Sequence, residues 1–265
     1  MKTFVRSLAV LLLTLIFCAT SQAQLSQEEL AKIAQDPLAN LISAPLQNQT
    51  NFGIGPLNRT QHETKFQPVI PFADGKIIAR VVVPFYDQPD LFAENGSTKG
   101  FGDVSLSAFY ATKGDKVSWG VGPIISLPTA KDGLGVQEWA LGPSFVAVTK
   151  TGNWVIGGLF QQVWSMESDA LNGFKFQPFI NYNLPKGNYL TTSPSITANW
   201  NGTDGEKWTV PLGMGVGKLI KPENFLPVNL QVGAYYNVEK PEYTGADWSL
   251  RLSATFMIPM AFFKK

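Results

Sequence analysis

Apolar and polar residues alternate along most of this chain from about residue 41 onward. The alternation is clearest in Trp248–Ile258, where every second residue is apolar and, as far as Thr255, the residues between are serine, arginine or threonine. Residues 228–237 repeat the pattern. A period of two is typical of β-strands with one apolar face. The pattern therefore predicts an all-β protein.

Twelve strands are predicted after a single short helix. They are 41–54, 60–72, 76–87, 101–113, 116–128, 137–149, 153–165, 173–184, 188–200, 206–219, 227–238 and 246–262. A soluble β-sandwich and a membrane barrel both fit alternation alone.

The connections between these strands separate the two folds. The even-numbered connections are short, namely 73–75, 113–115, 150–152 and 185–187, with a slightly longer one at 221–225. The odd-numbered connections are mostly longer, namely 88–100, 128–136, 166–172, 201–205 and 239–245. Short turns at one end, long loops at the other and an even strand number are typical of an outer-membrane β-barrel.

The tryptophans support the barrel independently, because all of them fall near predicted strand ends. They are Trp119, Trp139, Trp154, Trp164, Trp200, Trp208 and Trp248. Aromatic rings at strand ends form the girdles of membrane barrels at the two membrane–water interfaces. The predicted fold class is therefore a transmembrane antiparallel β-barrel of about 12 strands with a short N-terminal helix.

Prolines conflict with this prediction at several positions. Pro84 falls near a predicted strand end, but Pro68, Pro178 and Pro211 fall in the middle of strands. Proline cannot donate to a sheet ladder, and an unpaired backbone group is costly inside a bilayer. The three mid-strand prolines therefore need an explanation from the structure.

The first 23 residues are predicted to be a secretory signal peptide. Lys2 and Arg6 precede an apolar run over 8–17, and 21–23 form a small-x-small cleavage site. Cys18, the one cysteine, lies in this segment, so the exported chain is expected to contain no disulfide. No later apolar run reaches the roughly 18 residues of a membrane-spanning helix.

The charge balance excludes a nucleic-acid partner. The chain has 21 basic and 20 acidic residues, and removing Lys2 and Arg6 leaves 19 against 20. This gives the exported chain a net charge of −1 and no basic field.

A helix is predicted at residues 26–36. Ser26 and Glu29 form a capping box, and Leu30, Ile33 and Ala34 form a short apolar face. Because an isolated helix of this length is unstable, we expect it to dock at the periplasmic mouth of the barrel and partly occlude the pore. The predicted domain order is a signal peptide at 1–23, a periplasmic helix segment at 24–40 and the barrel at 41–265.

Several stretches resemble one known family. They are Asp36–Ser43 followed by Gln47–Pro56, Arg59-Thr60-Gln61, Gln67–Pro71, and the repeated Lys-Phe-Gln-Pro at 65–68 and 175–178. Across the exported chain the sequence resembles the outer-membrane barrels found beside phenol meta-cleavage pathway genes, some of which are labelled "neuromedin U". The resemblance implies a closed barrel with a transport role in the Gram-negative outer membrane. It implies no substrate and no site residues.

Charged residues on the predicted inner face are the candidate pore lining. They are Glu63, Lys65, Arg80, Asp103, Lys175 and Arg251. Such residues either tune the selectivity of a channel or form ion pairs that fill a narrow barrel, and both interpretations stay open.

A membrane-embedded hydrolase is a weaker alternative. It rests on His62, the one histidine, two residues before Thr64, but the residue is a threonine and no asparagine partner stands out. No catalytic, cofactor-binding or metal-ligating residues are therefore assigned.

The preferred function is a porin-like channel for passive uptake of small, hydrophobic or aromatic solutes, and the protein is not expected to be an enzyme. A non-conducting structural or surface-interaction barrel is the alternative. The expected partners are outer-membrane lipids, the barrel-assembly machinery and a small solute.

Overall fold

The computed structural model describes residues 26–93, 95–223 and 225–258. The predicted signal peptide at 1–23 lies outside the described residues, as does the end of the last predicted strand after Ile258.

The described residues form one α-helix, α1 (Gln27–Ala34), and fifteen strand segments. The segments are β1 (Ile42–Ile54), β2 (Arg59–Phe66), β3 (Val69–Phe72), β4 (Ile77–Pro89), β5 (Ser97–Phe101), β6 (Ser105–Lys113), β7 (Val117–Ser126), β8 (Ala140–Thr151), β9 (Trp154–Ser165), β10 (Asn172–Asn183), β11 (Asn188–Thr192), β12 (Ile196–Asn199), β13 (Trp208–Ile220), β14 (Val228–Glu239) and β15 (Trp248–Ile258).

These segments make a closed barrel of twelve antiparallel strands. Three of the strands are interrupted, so that β2 with β3, β5 with β6, and β11 with β12 each occupy one position in the sheet. Closure is between the first and last strands, whose register runs from Ile42↔Ile258 to Phe52↔Trp248. The predicted fold class and strand number are confirmed, including the pattern of short turns and longer loops.

Alternation places apolar side chains outside and polar side chains inside. In β14, Leu230 and Val232 point outward and are exposed, whereas Asn229 and Tyr235 point inward and are buried. In β15, Leu252 is exposed and Arg251 is buried. The face assignment predicted for these two strands is therefore correct.

The interruptions explain the first group of prolines. Pro68 lies at the break between β2 and β3, where the Gln67 N–H donates to the Pro45 carbonyl at 2.9 Å. Pro84 lies within β4 rather than near its end, opposite the break between β5 and β6. Its carbonyl accepts a hydrogen bond of 3.0 Å from the Gly102 N–H in that break. At a strand break the hydrogen-bond ladder is interrupted, so the backbone N–H that proline lacks is not needed there.

Three further prolines share the break between β11 and β12. Pro194 lies in the break, and Pro178 lies beside it, between the part of β10 that pairs with β12 and the part that pairs with β11. Pro211 occupies the matching position in β13, next to a β-bulge against β14. Two of the three mid-strand prolines, Pro178 and Pro211, therefore lie beside the break between β11 and β12, and the third, Pro68, lies at the break between β2 and β3.

Tryptophan rings lie near the strand ends, as predicted. Trp248 begins β15 and stacks on Phe52 with ring centroids 4.2 Å apart. Trp200 follows β12 and meets Trp208, the first residue of β13, edge-on at 5.3 Å. Six of the seven tryptophans are more than a third exposed, as a girdle at an interface requires.

The capping box predicted for α1 is present. The Ser26 hydroxyl accepts from the Glu29 N–H at 3.1 Å, and the Glu29 carboxylate accepts from the Ser26 N–H at 2.8 Å. The buried face differs from the prediction, because Leu30 and Ala31 are buried whereas Ile33 and Ala34 are half-buried. None of the helices in the described ranges is long and apolar enough to cross a membrane.

Candidate functional site

The helix α1 closes part of one barrel end, the end that carries the short turns. Its Glu28 carboxylate accepts from the Lys186 N–H at 2.7 Å, and the Lys32 ammonium donates to the Gly152 carbonyl at 2.8 Å. Leu30 and Ala31 pack on Leu219 of β13 and Met257 of β15. The helix thus docks on this end through contacts with three separate parts of the rim, and the assignment of this end to the periplasm stays a prediction.

The chain after α1 turns into the barrel. The Asp36 carboxylate forms an ion pair of 2.5 Å with Lys150 and also accepts from the Leu38 N–H at 2.8 Å. The Leu38 side chain, only 1% exposed, is inserted among inward-facing apolar residues of four strands. Those residues are Ile78, Phe109, Ala111, Val146, Val148, Val155 and Leu159. We call residues 26–41 the N-terminal plug, since their side chains fill this part of the lumen.

A cavity of about 250 Å³ remains between the plug and the barrel wall. Apolar groups make up the larger part of its wall, which also carries amides, hydroxyls, one carboxylate and one guanidinium; among its lining residues are Arg80, Gln177, Phe179, Asn181, Tyr189 and Asn229. Since a water molecule occupies about 30 Å³ of liquid, the cavity has room for roughly eight waters or one small solute.

Inward-facing charged residues surround the lumen next to this cavity. The Lys65 ammonium and the Glu63 carboxylate, two residues apart on β2, form an ion pair of 2.6 Å. The Arg80 guanidinium on β4 donates to the Gln67 side-chain oxygen at 2.5 Å. The structure therefore gives Lys65 a charged partner and Arg80 a neutral one.

Arg251 on β15 has only neutral partners in the described structure. It donates to the Gln49 side-chain oxygen at 3.2 Å and to the Ser193 carbonyl at 2.7 Å. Its guanidinium also lies 4.6 Å from the centre of the Tyr235 ring, which is a cation–π contact.

Lys175 on β10 differs from the other cations. Within the described ranges its ammonium makes neither a hydrogen bond nor an ion pair, although it lies within electrostatic range of Glu63, Lys65, Arg80 and Arg251. Because no fully buried polar side-chain atom of these ranges lacks a hydrogen bond, the ammonium keeps some solvent-accessible surface.

Asp103 lies outside this group. It sits in the break between β5 and β6, and its carboxylate accepts four backbone N–H groups of one loop, from Thr129, Ala130, Val136 and Gln137, at 2.7–3.1 Å. The structure therefore gives this carboxylate a role in ordering the loop between β7 and β8.

The lipid-facing side carries a short chain of polar residues around His62. Its Nδ1 atom lies 3.0 Å from the Thr50 hydroxyl, while the Asn48 amide donates to the Thr64 hydroxyl at 3.0 Å. In a hydrolytic triad the histidine contacts the nucleophile and the third residue orients the histidine. Here the asparagine contacts Thr64 and not His62, so the described geometry does not connect these residues as a triad.

Sequence reasoning missed the neutral partners of the charged residues. Gln49, Gln67 and Tyr235 each face inward and each bind a cation of the lumen. The alternation of side chains along each strand could have placed all three residues on the inner face. Alternation does not show which residues of distant strands contact each other.

A family model described as "Putative MetA-pathway of phenol degradation" matches residues 57–252, about three quarters of the chain. No curated protein sequence matches it.

Several solved structures share the fold. The COG4313 outer membrane channel from Pseudomonas putida F1 superimposes with a TM-score of 0.60 and 14% identity, over 83% of this chain and 96% of that one. The NanC porin superimposes with a TM-score of 0.56 and 12% identity, over 82% of this chain and 100% of that one. The KdgM porin in complex with disordered oligogalacturonate superimposes with a TM-score of 0.52 and 10% identity, over 82% of this chain and 99% of that one. All are outer-membrane barrels or porins by name, and at these identities the likeness concerns the fold.

Proposed function

This chain belongs to that MetA-pathway family of phenol degradation, and we propose that it is a passive outer-membrane channel for small solutes. The observation that carries the proposal is the cavity, lined by apolar groups together with amides and hydroxyls, inside a closed barrel whose outer surface is apolar. A barrel with only a structural role gains most from a lumen filled with packed side chains, whereas a path for solutes needs polar space.

The solute class follows from the size and lining of the cavity. Phe179 and Tyr189 offer aromatic surface, and the surrounding amides offer hydrogen bonds to a ring substituent. A single-ring aromatic compound fits this chemistry and agrees with the phenol-degradation description of the family. No chemical step is part of the proposal, so the protein acts without catalysis.

Export and membrane insertion complete the proposal. Residues 1–23 direct export, the barrel-assembly machinery inserts residues 41–265, and residues 24–40 stay on the periplasmic side with the plug. The apolar outer surface and its aromatic girdles then contact outer-membrane lipids.

A planar-bilayer conductance measurement tests the channel. Purified protein should give unitary current steps, and Asn181→Trp, which adds bulk to the cavity wall, should lower the step size. The matched control is Ile180→Trp on the adjacent outward-facing position, which should leave it unchanged. A correctly folded protein without any current steps would contradict the proposal.

Such a result would favour the second candidate, a non-conducting barrel. One observation supports it: Leu38 and the apolar residues around it fill part of the lumen at the periplasmic end. Conductance after removal of the plug would then separate a closed channel from a barrel that is only structural.

A further inference from the structure

The charges inside the lumen are unbalanced. Four cations, Lys65, Arg80, Lys175 and Arg251, face a single carboxylate, that of Glu63. Three of them come from β15, β2 and β4, which lie close together in the sheet, and Lys175 comes from β10 on the other side of the barrel. With every side chain ionised, the group has a formal charge of +3 (four minus one), in a chain whose overall formal charge is +1.

Neighbouring groups do not neutralise this charge. Glu63 is engaged by Lys65 at 2.6 Å, and the two arginines are held by amide and carbonyl oxygens and by the face of Tyr235. Asp103, the other carboxylate predicted for the lumen, is engaged by four backbone N–H groups of a loop. Hydrogen bonds to neutral partners hold the arginine side chains in place and leave their charge available.

The Lys175 ammonium is the group of this cluster that is best placed to bind an anion. It lacks a hydrogen-bond or ion-pair partner in the described ranges, keeps some solvent-accessible surface and lies within electrostatic range of three like charges. An anion entering the lumen would relieve that repulsion and supply the missing partner, whereas a cation would increase it. Arg80, a member of the same group, also lines the adjacent cavity, so a bound anion and the cavity are contiguous.

We propose that the lumen is a selectivity and binding site for small organic carboxylates, with Lys175, Arg80 and Arg251 as the groups that attract the carboxylate. This deepens the proposed channel function and rests on it for the transport step. The ring or chain of the solute lies in the adjacent cavity, against Phe179 and Tyr189, while its carboxylate lies among the cations. Guanidinium groups suit this role, because their paired N–H donors match the two carboxylate oxygens.

Two measurements on the folded full-length protein test the site. The first is the reversal potential across a planar bilayer with a KCl gradient at low ionic strength, where charge in the pore is least screened. Chloride should permeate roughly tenfold better than potassium, the lower bound for focusing by a charged cleft. The second is calorimetric titration of detergent-solubilised protein with benzoate, and with benzyl alcohol as the neutral ligand of similar shape.

Lys175→Met is the informative variant, since it keeps the length of the side chain and removes the charge without leaving a buried partner unpaired. It should reduce the chloride preference several-fold and weaken benzoate binding, but leave benzyl alcohol binding unchanged. Lys113→Met, at the exposed end of β6, is the matched control and should change neither.

The outcomes separate this inference from the channel function. Benzoate binding that depends on Lys175, in a protein that gives no current, would support the anion site and contradict the channel. Current without chloride preference, or equal binding of benzoate and benzyl alcohol, would overturn the anion site and leave the channel intact. Absence of both current and benzoate binding would overturn both.

Discussion

Tyr189 of β11 packs its ring directly against Gly217, its partner on β13. A Cβ atom on Gly217 would lie 2.0 Å from the Tyr189 Cζ atom, far inside van der Waals contact. The buried ring also donates its hydroxyl to the Asn229 side chain at 2.9 Å. The glycine therefore makes the space that lets a large side chain lie flat inside a narrow barrel.

Gly217→Ala should destabilise the barrel by about 1–3 kcal/mol, the usual cost of overpacking. The ring cannot move away without losing its bond to Asn229, so the strain has no easy release. The measurement is denaturant unfolding in lipid vesicles. Gly173→Ala is the control, because its new methyl would meet only the flexible Leu171 side chain, at 3.3 Å. Equal stability of the two variants would contradict the tight fit.

Charge on the outer face should be far more costly than charge on the inner face. Leu252 is 48% exposed and points outward, whereas its neighbour Ser253 points inward. Leu252→Arg should therefore destabilise the protein by about 2–4 kcal/mol, and Ser253→Arg by much less. The same unfolding assay compares them, and similar costs would mean that the inside–outside register of β15 is off by one residue.

Removal of Gln24–Asp36 should increase conductance without unfolding the barrel. The deletion eliminates α1 and the ion pair of Asp36 with Lys150, so Leu38 loses its anchors at the periplasmic rim. Single-channel recording measures the step size, and heat-modifiable migration on gels reports folding. An unchanged step size in a folded variant would mean that the plug does not limit the pore.

The plug should also loosen in acid. Hydrogen bonds from the backbone and side chain of Ser26 lower the pKa of Glu29 below its usual 4.5. A lowered pKa means that ionised Glu29 stabilises the folded helix above pH 4.5, and that this stability is lost as the pH falls through the lowered value. We expect conductance to rise in that range. Glu29→Gln, which keeps the capping hydrogen bonds but cannot ionise, should abolish the part of the rise due to this residue.

Asp103→Asn should release the loop between β7 and β8. The carboxylate accepts four backbone N–H groups, and an amide has only one acceptor oxygen, so at least two of these bonds weaken or break. Limited proteolysis of intact cells or vesicles should then cut the loop faster than in the wild type. Asp132→Asn, in the same loop, is the control; equal cleavage of both variants would contradict the role of Asp103.

The sequence was sufficient for features that depend on parity within one strand. Outward Leu252 and inward Arg251 follow from alternation, because neighbouring side chains in a strand must point to opposite faces. The same rule does not apply at Asp103, which belongs to a three-residue break between β5 and β6. A proline such as Pro178 indicates that the hydrogen-bond ladder is irregular there. The break that accommodates it lies on another strand, between β11 and β12, and cannot be predicted from the residues next to Pro178 in sequence.

The candidate site was only partly predictable for a related reason. Lys65, Lys175 and Arg251 were each assigned to the inner face, but their mutual proximity depends on closure of the barrel. Whether a charge is paired depends in turn on which partner reaches it. The sequence left selectivity and ion pairing equally open; the contacts show one ion pair, between Lys65 and Glu63, and selectivity stays a prediction.

The cluster beneath α1 sets an order of events during assembly. Met257, one of the side chains that buries Leu30 and Ala31, belongs to the strand that closes the ring against β1. An eight-residue helix has little stability of its own, so it depends on these packing contacts. We therefore expect the contacts of α1 to be complete only after the barrel has closed, so that a nascent barrel has a stage in which the N-terminal plug is not yet fully docked.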